Sequence, residues 1–144
     1  MKRSLAFALW VFGLSIGLAS AQTSAPKAAH THSPDITVPL QERHGSGIHG
    51  TVTLHPQGKK TMVDVSMFSG PKHLRPALEL YNGQDCVGTR PNKAIPLNPI
   101  NTGQVSRTFV DIPFSAFRSR DFVVDVRDAT QRAQASEACA RVGP

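Results

Sequence analysis

The sequence predicts an all-β fold, an antiparallel sandwich or barrel of short strands. Three observations carry that expectation. Apolar and polar residues alternate with a period of two in several segments, as in residues 48–55 and 63–67. The intervening stretches are rich in turn formers, with 11 Gly and 11 Pro among 144 residues. No segment keeps a helical period except residues 129–140, where Gln, Ala and Arg would allow one or two polar turns. A chain of this length supplies one core, not two.

Residues 1–21 read as an export signal. Lys2 and Arg3 precede an uncharged apolar run of 14 residues, 5–18, and Ala19-Ser20-Ala21 offers small residues ahead of a cut before Gln22. The run is shorter than the roughly 20 residues of a membrane-spanning helix. Gln22, where a lipid-anchored chain would carry Cys, implies no membrane anchor after cleavage. The mature protein is thus expected to be secreted or periplasmic. Residues 22–46, rich in Ala, Ser, Thr, Pro and His, are expected to form a flexible N-terminal arm. Within it, Ile36-Thr37-Val38-Pro39-Leu40 would fit an edge strand, where proline is tolerated.

Residues 47–144 form the predicted β domain. Ile48, Val52 and Leu54 alternate with His49, Thr51, Thr53 and His55, and after the turn Pro56-Gln57-Gly58-Lys59-Lys60 the residues Val63, Val65 and Met67 alternate with Asp64 and Ser66. Two such runs across a short turn predict a hairpin. A third strand is expected over residues 76–81, followed by an irregular stretch, 82–103, that holds Pro91, Pro96 and Pro99. Residues 105–112 return to β-branched and aromatic types. Residues 113–118 fit a brief helical turn or corner, and Phe122, Val124 and Val126 alternate with Val123, Asp125 and Arg127.

Composition excludes several classes of function. Removing two of sixteen basic residues with the signal, against ten acids, leaves a mature charge of +4, carried by residues that occur singly or as the pair Lys59-Lys60. That is no nucleic-acid stripe, and aromatics at 6% offer little base-stacking surface. No Gly-rich phosphate loop, nucleophile elbow or His-Glu zinc motif is present. Cys86 and Cys139 are the only cysteines. An even number in an exported chain implies one disulfide, and the absence of C-x-x-C spacing argues against a redox pair.

Several segments, in order, resemble the copper/zinc superoxide dismutase-like family of secreted β-sandwiches. Gly47-Ile48-His49-Gly50-Thr51-Val52-Thr53-Leu54 resembles its opening strand, and Arg75-Pro76-Ala77-Leu78-Glu79-Leu80 falls where the family has a His-Pro-Ala-His-x-His type strand. Cys86 stands near the position of the family's loop cysteine. Ile95-Pro96-Leu97-Asn98-Pro99, Val124-Asp125-Val126-Arg127 and Ala138-Cys139 resemble later family segments, so that the likeness spans residues 47–142. The resemblance implies an antiparallel Greek-key sandwich or barrel.

The same resemblance places the family's copper ligands on Leu78, Leu80 and Arg127. Two are alkyl groups and the third is a fixed cation, so none donates a lone pair at neutral pH. The zinc loop would fall in residues 82–103, which hold no histidine and only one acid, Asp85. The substrate-guiding arginine would fall on Ser136. Metal and cofactor are therefore expected to be absent. Strand alternation buries Leu78 and Leu80 and exposes Glu79 and Tyr81, which would turn the former ligand positions into packing positions.

The six histidines suggest no replacement site. His49 and His55 share a strand face but lie six residues apart, about 20 Å at strand rise. His30 and His32 in the arm are weak candidates for Cu²⁺ or Ni²⁺. The expected function is a non-catalytic binding or structural module whose partner the sequence leaves unknown, with the loop around Arg90 and Lys93, tethered by Cys86, as the candidate binding loop. The alternatives are a divergent copper-dependent superoxide dismutase and a low-affinity metal-capture protein.

Overall fold

The computed structural model describes residues 34–86, 93–130 and 135–144. They contain eight strands: β1 (Ile36–Glu42), β2 (His49–Gln57), β3 (Lys60–Ser69), β4 (Pro76–Asn82), β5 (Ile95–Pro96), β6 (Val105–Val110), β7 (Phe122–Asp128) and β8 (Ser136–Val142). All pair antiparallel in one curled, half-barrel sheet of order β5-β4-β7-β8-β1-β2-β3-β6. The predicted all-β antiparallel class is what the chain adopts. β3 lies beside β6 and β4 beside β7, each skipping two strands, which are the long return connections of Greek-key type.

The expected hairpin is β2–β3, in register from Gln57↔Lys60 through Leu54↔Val63 to Val52↔Val65. Its two-residue turn places Gly58 at φ 62°, a conformation glycine adopts without a Cβ penalty. Gly50, at the bulge that shifts the register beside His49, has a different role. A Cβ there would lie 2.0 Å from the Ser66 carbonyl oxygen, so only glycine lets the two strands approach this closely.

β1 departs from expectation. Residues 36–40, placed by sequence in the N-terminal arm as an edge strand, belong to β1, which lies between β2 and β8. Pro39 is accommodated because β1 meets β8 only through Gln41↔Cys139 and Glu42↔Ala138, beyond the proline. The helical reading of residues 129–140 is also corrected, since residues 136–142 are the strand β8, with Ala138, Ala140 and Val142 buried in the core. Fitting into a sheet beside β7 outweighs the weak local helix preference of the alanines. Phe114–Arg118 is a single 3₁₀ turn, as predicted, and it seats Phe117 on Phe122 with ring centroids 4.4 Å apart.

The inner faces of the strands meet in one apolar core that includes Val52, Leu54, Val63, Val65, Leu80 and Val124. β5 is only two residues long, because Pro96 and Pro99 interrupt a ladder. Asn98 stitches the stretch beyond it to β6 instead. Its backbone N–H donates to Thr108 Oγ1 at 2.8 Å, its amide donates to the Arg107 carbonyl at 2.6 Å, and its own carbonyl accepts from Ser106 Oγ at 2.6 Å. Cys86 and Cys139 form a disulfide with Cα atoms 6.2 Å apart. Ala94 and the bridged Cys86 pack on a second, smaller apolar cluster of Tyr81, Val123 and Cys139, on the side of the sheet away from the main core.

Candidate functional site

Every residue of β7 is buried, on both faces. The inward side carries Phe122, Val124 and Val126 into the main core. On the opposite side lie Val123, Asp125 and Arg127, and the register sets Asp125 directly across from Glu79 of β4 and Arg127 across from Ala77. Directly opposed residues share a face, so two carboxylates and one guanidinium stand together. Glu79 is 4% exposed, Asp125 0% and Arg127 1%.

This burial corrects the expectation that alternation would expose Glu79 and Tyr81. Leu78 and Leu80 are buried as expected, but the face behind them is covered too: Tyr81 belongs to the second apolar cluster and Glu79 is enclosed with its charged neighbours. Period-two alternation reports two faces and does not say that one of them is wet.

The charges are mutually compensated. Arg127 Nη2 lies 2.5 Å from Asp125 Oδ2, and its Nε lies 3.7 Å from Glu79 Oε2. Ser136 of β8 donates its hydroxyl to Asp125 Oδ1 at 2.6 Å. Burial pushes the Asp125 carboxyl above the usual aspartate range, while the Ser136 hydrogen bond and Arg127 pull the other way without cancelling it. Arg127 thus contacts both buried acids, an arrangement that is costly to break and only weakly stabilising when intact.

The cluster forms part of the wall of a cavity. A space of about 320 Å³ at the edge of β4 is lined by Pro76, Ala77, Leu78, Pro96, Leu97, Pro99 and Ala129, with Glu79 and Arg127 as its charged wall. A second space of about 290 Å³ shares Pro76, Pro99 and Ala129 and is bounded further by Leu74, Arg75, Ile100 and Asn101. The cavity exists because β5 covers β4 only at Glu79↔Pro96 and Leu80↔Ile95; among the described residues no strand pairs with the Pro76–Ala77 end on the edge of β4 away from β7.

The positions matched to copper ligands do not converge. Leu78 pairs with Val126 and points to the main core with Leu80, whereas Arg127 sits on the opposite side of the sheet. Ser136, matched to the guiding arginine, is a hydrogen-bond partner of Asp125. Among the described residues no group of three or more His, Cys, Asp and Glu is placed to hold a metal ion. His49 contacts Glu42 at 3.6 Å, and His55 lies 2.8 Å from Asp35 and 3.8 Å from Asp64, whose carboxylate also holds Arg107 at 2.7 Å. Lys93 is exposed at a turn. His30, His32, Arg90 and residues 1–21 lie outside the described residues.

Sequence reasoning missed Glu79 and Asp125 as partners of Arg127, and Ser136 as a hydrogen-bond donor to Asp125. A signal was available: Asp125-x-Arg127 places opposite charges on one face of a strand, and a neighbouring strand with an acid at an apolar position calls for a buried cation. The disulfide fits a non-reducing compartment. Among the described residues no helix is long and apolar enough to cross a membrane.

No family model, curated protein or solved structure matches the chain.

Proposed function

We propose that the mature chain is an exported, non-catalytic binding domain on a superoxide dismutase-like scaffold whose metal site has been replaced. The observation that carries this reading is the state of Arg127. The position where the family would present an imidazole holds a guanidinium clamped between Asp125 and Glu79 and 1% exposed. A fixed cation repels a metal ion and offers no lone pair. The order of family-like segments, the antiparallel eight-strand fold and the Cys86–Cys139 disulfide support the scaffold and the exported setting. Activity does not follow from scaffold, so the resemblance carries no catalysis with it.

Superoxide turnover by the mature, disulfide-bonded protein, measured with and without added Cu²⁺ and Zn²⁺, tests the reading. The expected rate equals that of the free metal at the same concentration. Turnover above that level, abolished by chelation, would favour a divergent dismutase. Copper uptake without turnover that vanishes on deletion of residues 22–33 would favour metal capture by His30 and His32. That deletion stops short of β1, so the sheet is left whole.

A further inference from the structure

Four large apolar side chains are exposed among the described residues, and three of them share one face of the sheet. Phe68 of β3 is 64% exposed, and Val105 and Phe109 of β6 are 58% and 59% exposed. Single apolar residues on a surface need no explanation, but a cluster does. The register Met62↔Phe109, Asp64↔Arg107 and Ser66↔Val105 puts these residues on the outer face, since Val63, Val65 and Met67 point into the core. Phe68 follows Ser66 on that face, diagonal to Val105. Between the two apolar ends stands the ion pair of Asp64 and Arg107 at 2.7 Å, its guanidinium exposed. Beyond Phe109, Lys60 pairs with Asp111 at 2.7 Å.

We propose that this face is the contact surface for a second copy of the chain, in a two-fold dimer that packs the β3–β6 faces of both copies together. The pattern is complementary to itself. A half-turn about an axis along the strands, midway between β3 and β6, exchanges the two strands. It lays Arg107 over Asp64 of the second copy and Lys60 over Asp111 of the second copy, so the charges alternate in sign across the contact. The same half-turn sets Phe109 over Met62 of the second copy and Val105 beside its Phe68, so all three exposed apolar side chains lose water. A half-turn across the strands at the Asp64–Arg107 row would instead stack Arg107 on Arg107. The patch is small: Met62 to Phe68 spans about 20 Å at strand rise, and strands lie about 4.8 Å apart. Its dimer belongs with the transient interfaces below about 1,200 Å² in total, and it forms and dissociates with concentration. This self-association is independent of the metal question, which the superoxide and copper measurements address separately.

The test is analytical ultracentrifugation of the disulfide-bonded protein lacking residues 1–21, from about 10 μM to about 1 mM. The average mass should climb from that of the monomer towards twice that value. Phe68→Ser and Phe109→Ser, both at exposed positions, should each weaken association at least about tenfold. Arg107→Glu and Asp64→Arg each set like charges against one another across the contact, so each variant alone should stay monomeric. An equimolar mixture of the two should associate, because the new glutamate of one chain then faces the new arginine of the other. Circular dichroism checks that each variant keeps the wild-type fold, and if a charge variant does not fold, the two Phe→Ser variants decide the matter. A monomeric mass across the whole range, association that both Phe→Ser variants leave unchanged, or a mixture of folded charge variants that stays monomeric would overturn the proposal.

Discussion

Replacing Arg127 with methionine should be among the most damaging single substitutions in the domain, and the damage should depend on pH. The side chain is 1% exposed and stands 2.5 Å from one carboxylate and 3.7 Å from another. At an effective dielectric near 20, those separations correspond to gross attractions of about 7 and about 4 kcal/mol. Most of that is offset by the desolvation of the three groups. Removing the cation, however, leaves two opposed buried carboxylates without its charge, a net loss of about 3–5 kcal/mol at neutral pH. Domains of this size are stable by only about 5–15 kcal/mol. Without Arg127, which pulls against the effect of burial, Asp125 would hold its proton still more tightly in the folded state. Acidification through its folded range should therefore restore part of the lost stability, and raising the pH should remove it again. Urea denaturation of wild type and Arg127→Met across this range is the assay. A neutral-pH loss under about 1 kcal/mol, or a loss that does not shrink in acid, would refute the reasoning.

Three further outcomes are expected. In the wild type, burial raises the Asp125 pKa, so the stability gained by protonating Asp125 is fully present below the ordinary aspartate range and is lost as the pH rises through the folded value. Asp125→Asn should flatten that part of the stability–pH curve, and an unchanged slope in thermal melts would show that Asp125 does not contribute to it. Gly50→Ala would drive a Cβ to 2.0 Å from the Ser66 carbonyl oxygen, and it should cost about 3 kcal/mol in chemical denaturation by forcing β2 and β3 apart. A variant of wild-type stability would contradict that close approach. Replacing both Cys86 and Cys139 with serine opens a loop of sequence separation 53 and should cost about 4 kcal/mol on the chain-entropy account; a loss below about 1 kcal/mol would contradict it.

Where one face of a strand is wet, the sequence was sufficient to read the strand. β2 and β3 alternate cleanly because their outer face is partly open to solvent, and Pro56-Gln57-Gly58 announces the turn between them. β4 and β7 were located correctly, but their second face was not. Part of it is covered by Cys86 and Ala94, and that cover depends on a disulfide to Cys139, far away in sequence. β1 and β8 were misjudged for a related reason. Pro39 and the run of alanines carry weak local preferences, which pairing in a sheet overrides. Arg127 drew notice as a position unable to bind copper. Its ionic partners Glu79 and Asp125 became apparent only from the β4–β7 register, which a one-residue slip would have reversed.

The most direct measurement is equilibrium dialysis of the oxidised protein lacking residues 1–21 against Cu²⁺, followed by elemental analysis and electron paramagnetic resonance. Leu78 and Leu80 face the core and Arg127 is held by two carboxylates on the other side of the sheet, so the folded domain should retain far less than one equivalent of copper. About one equivalent of tightly held copper, with nitrogen hyperfine structure and undiminished by deletion of residues 22–33, would contradict the account.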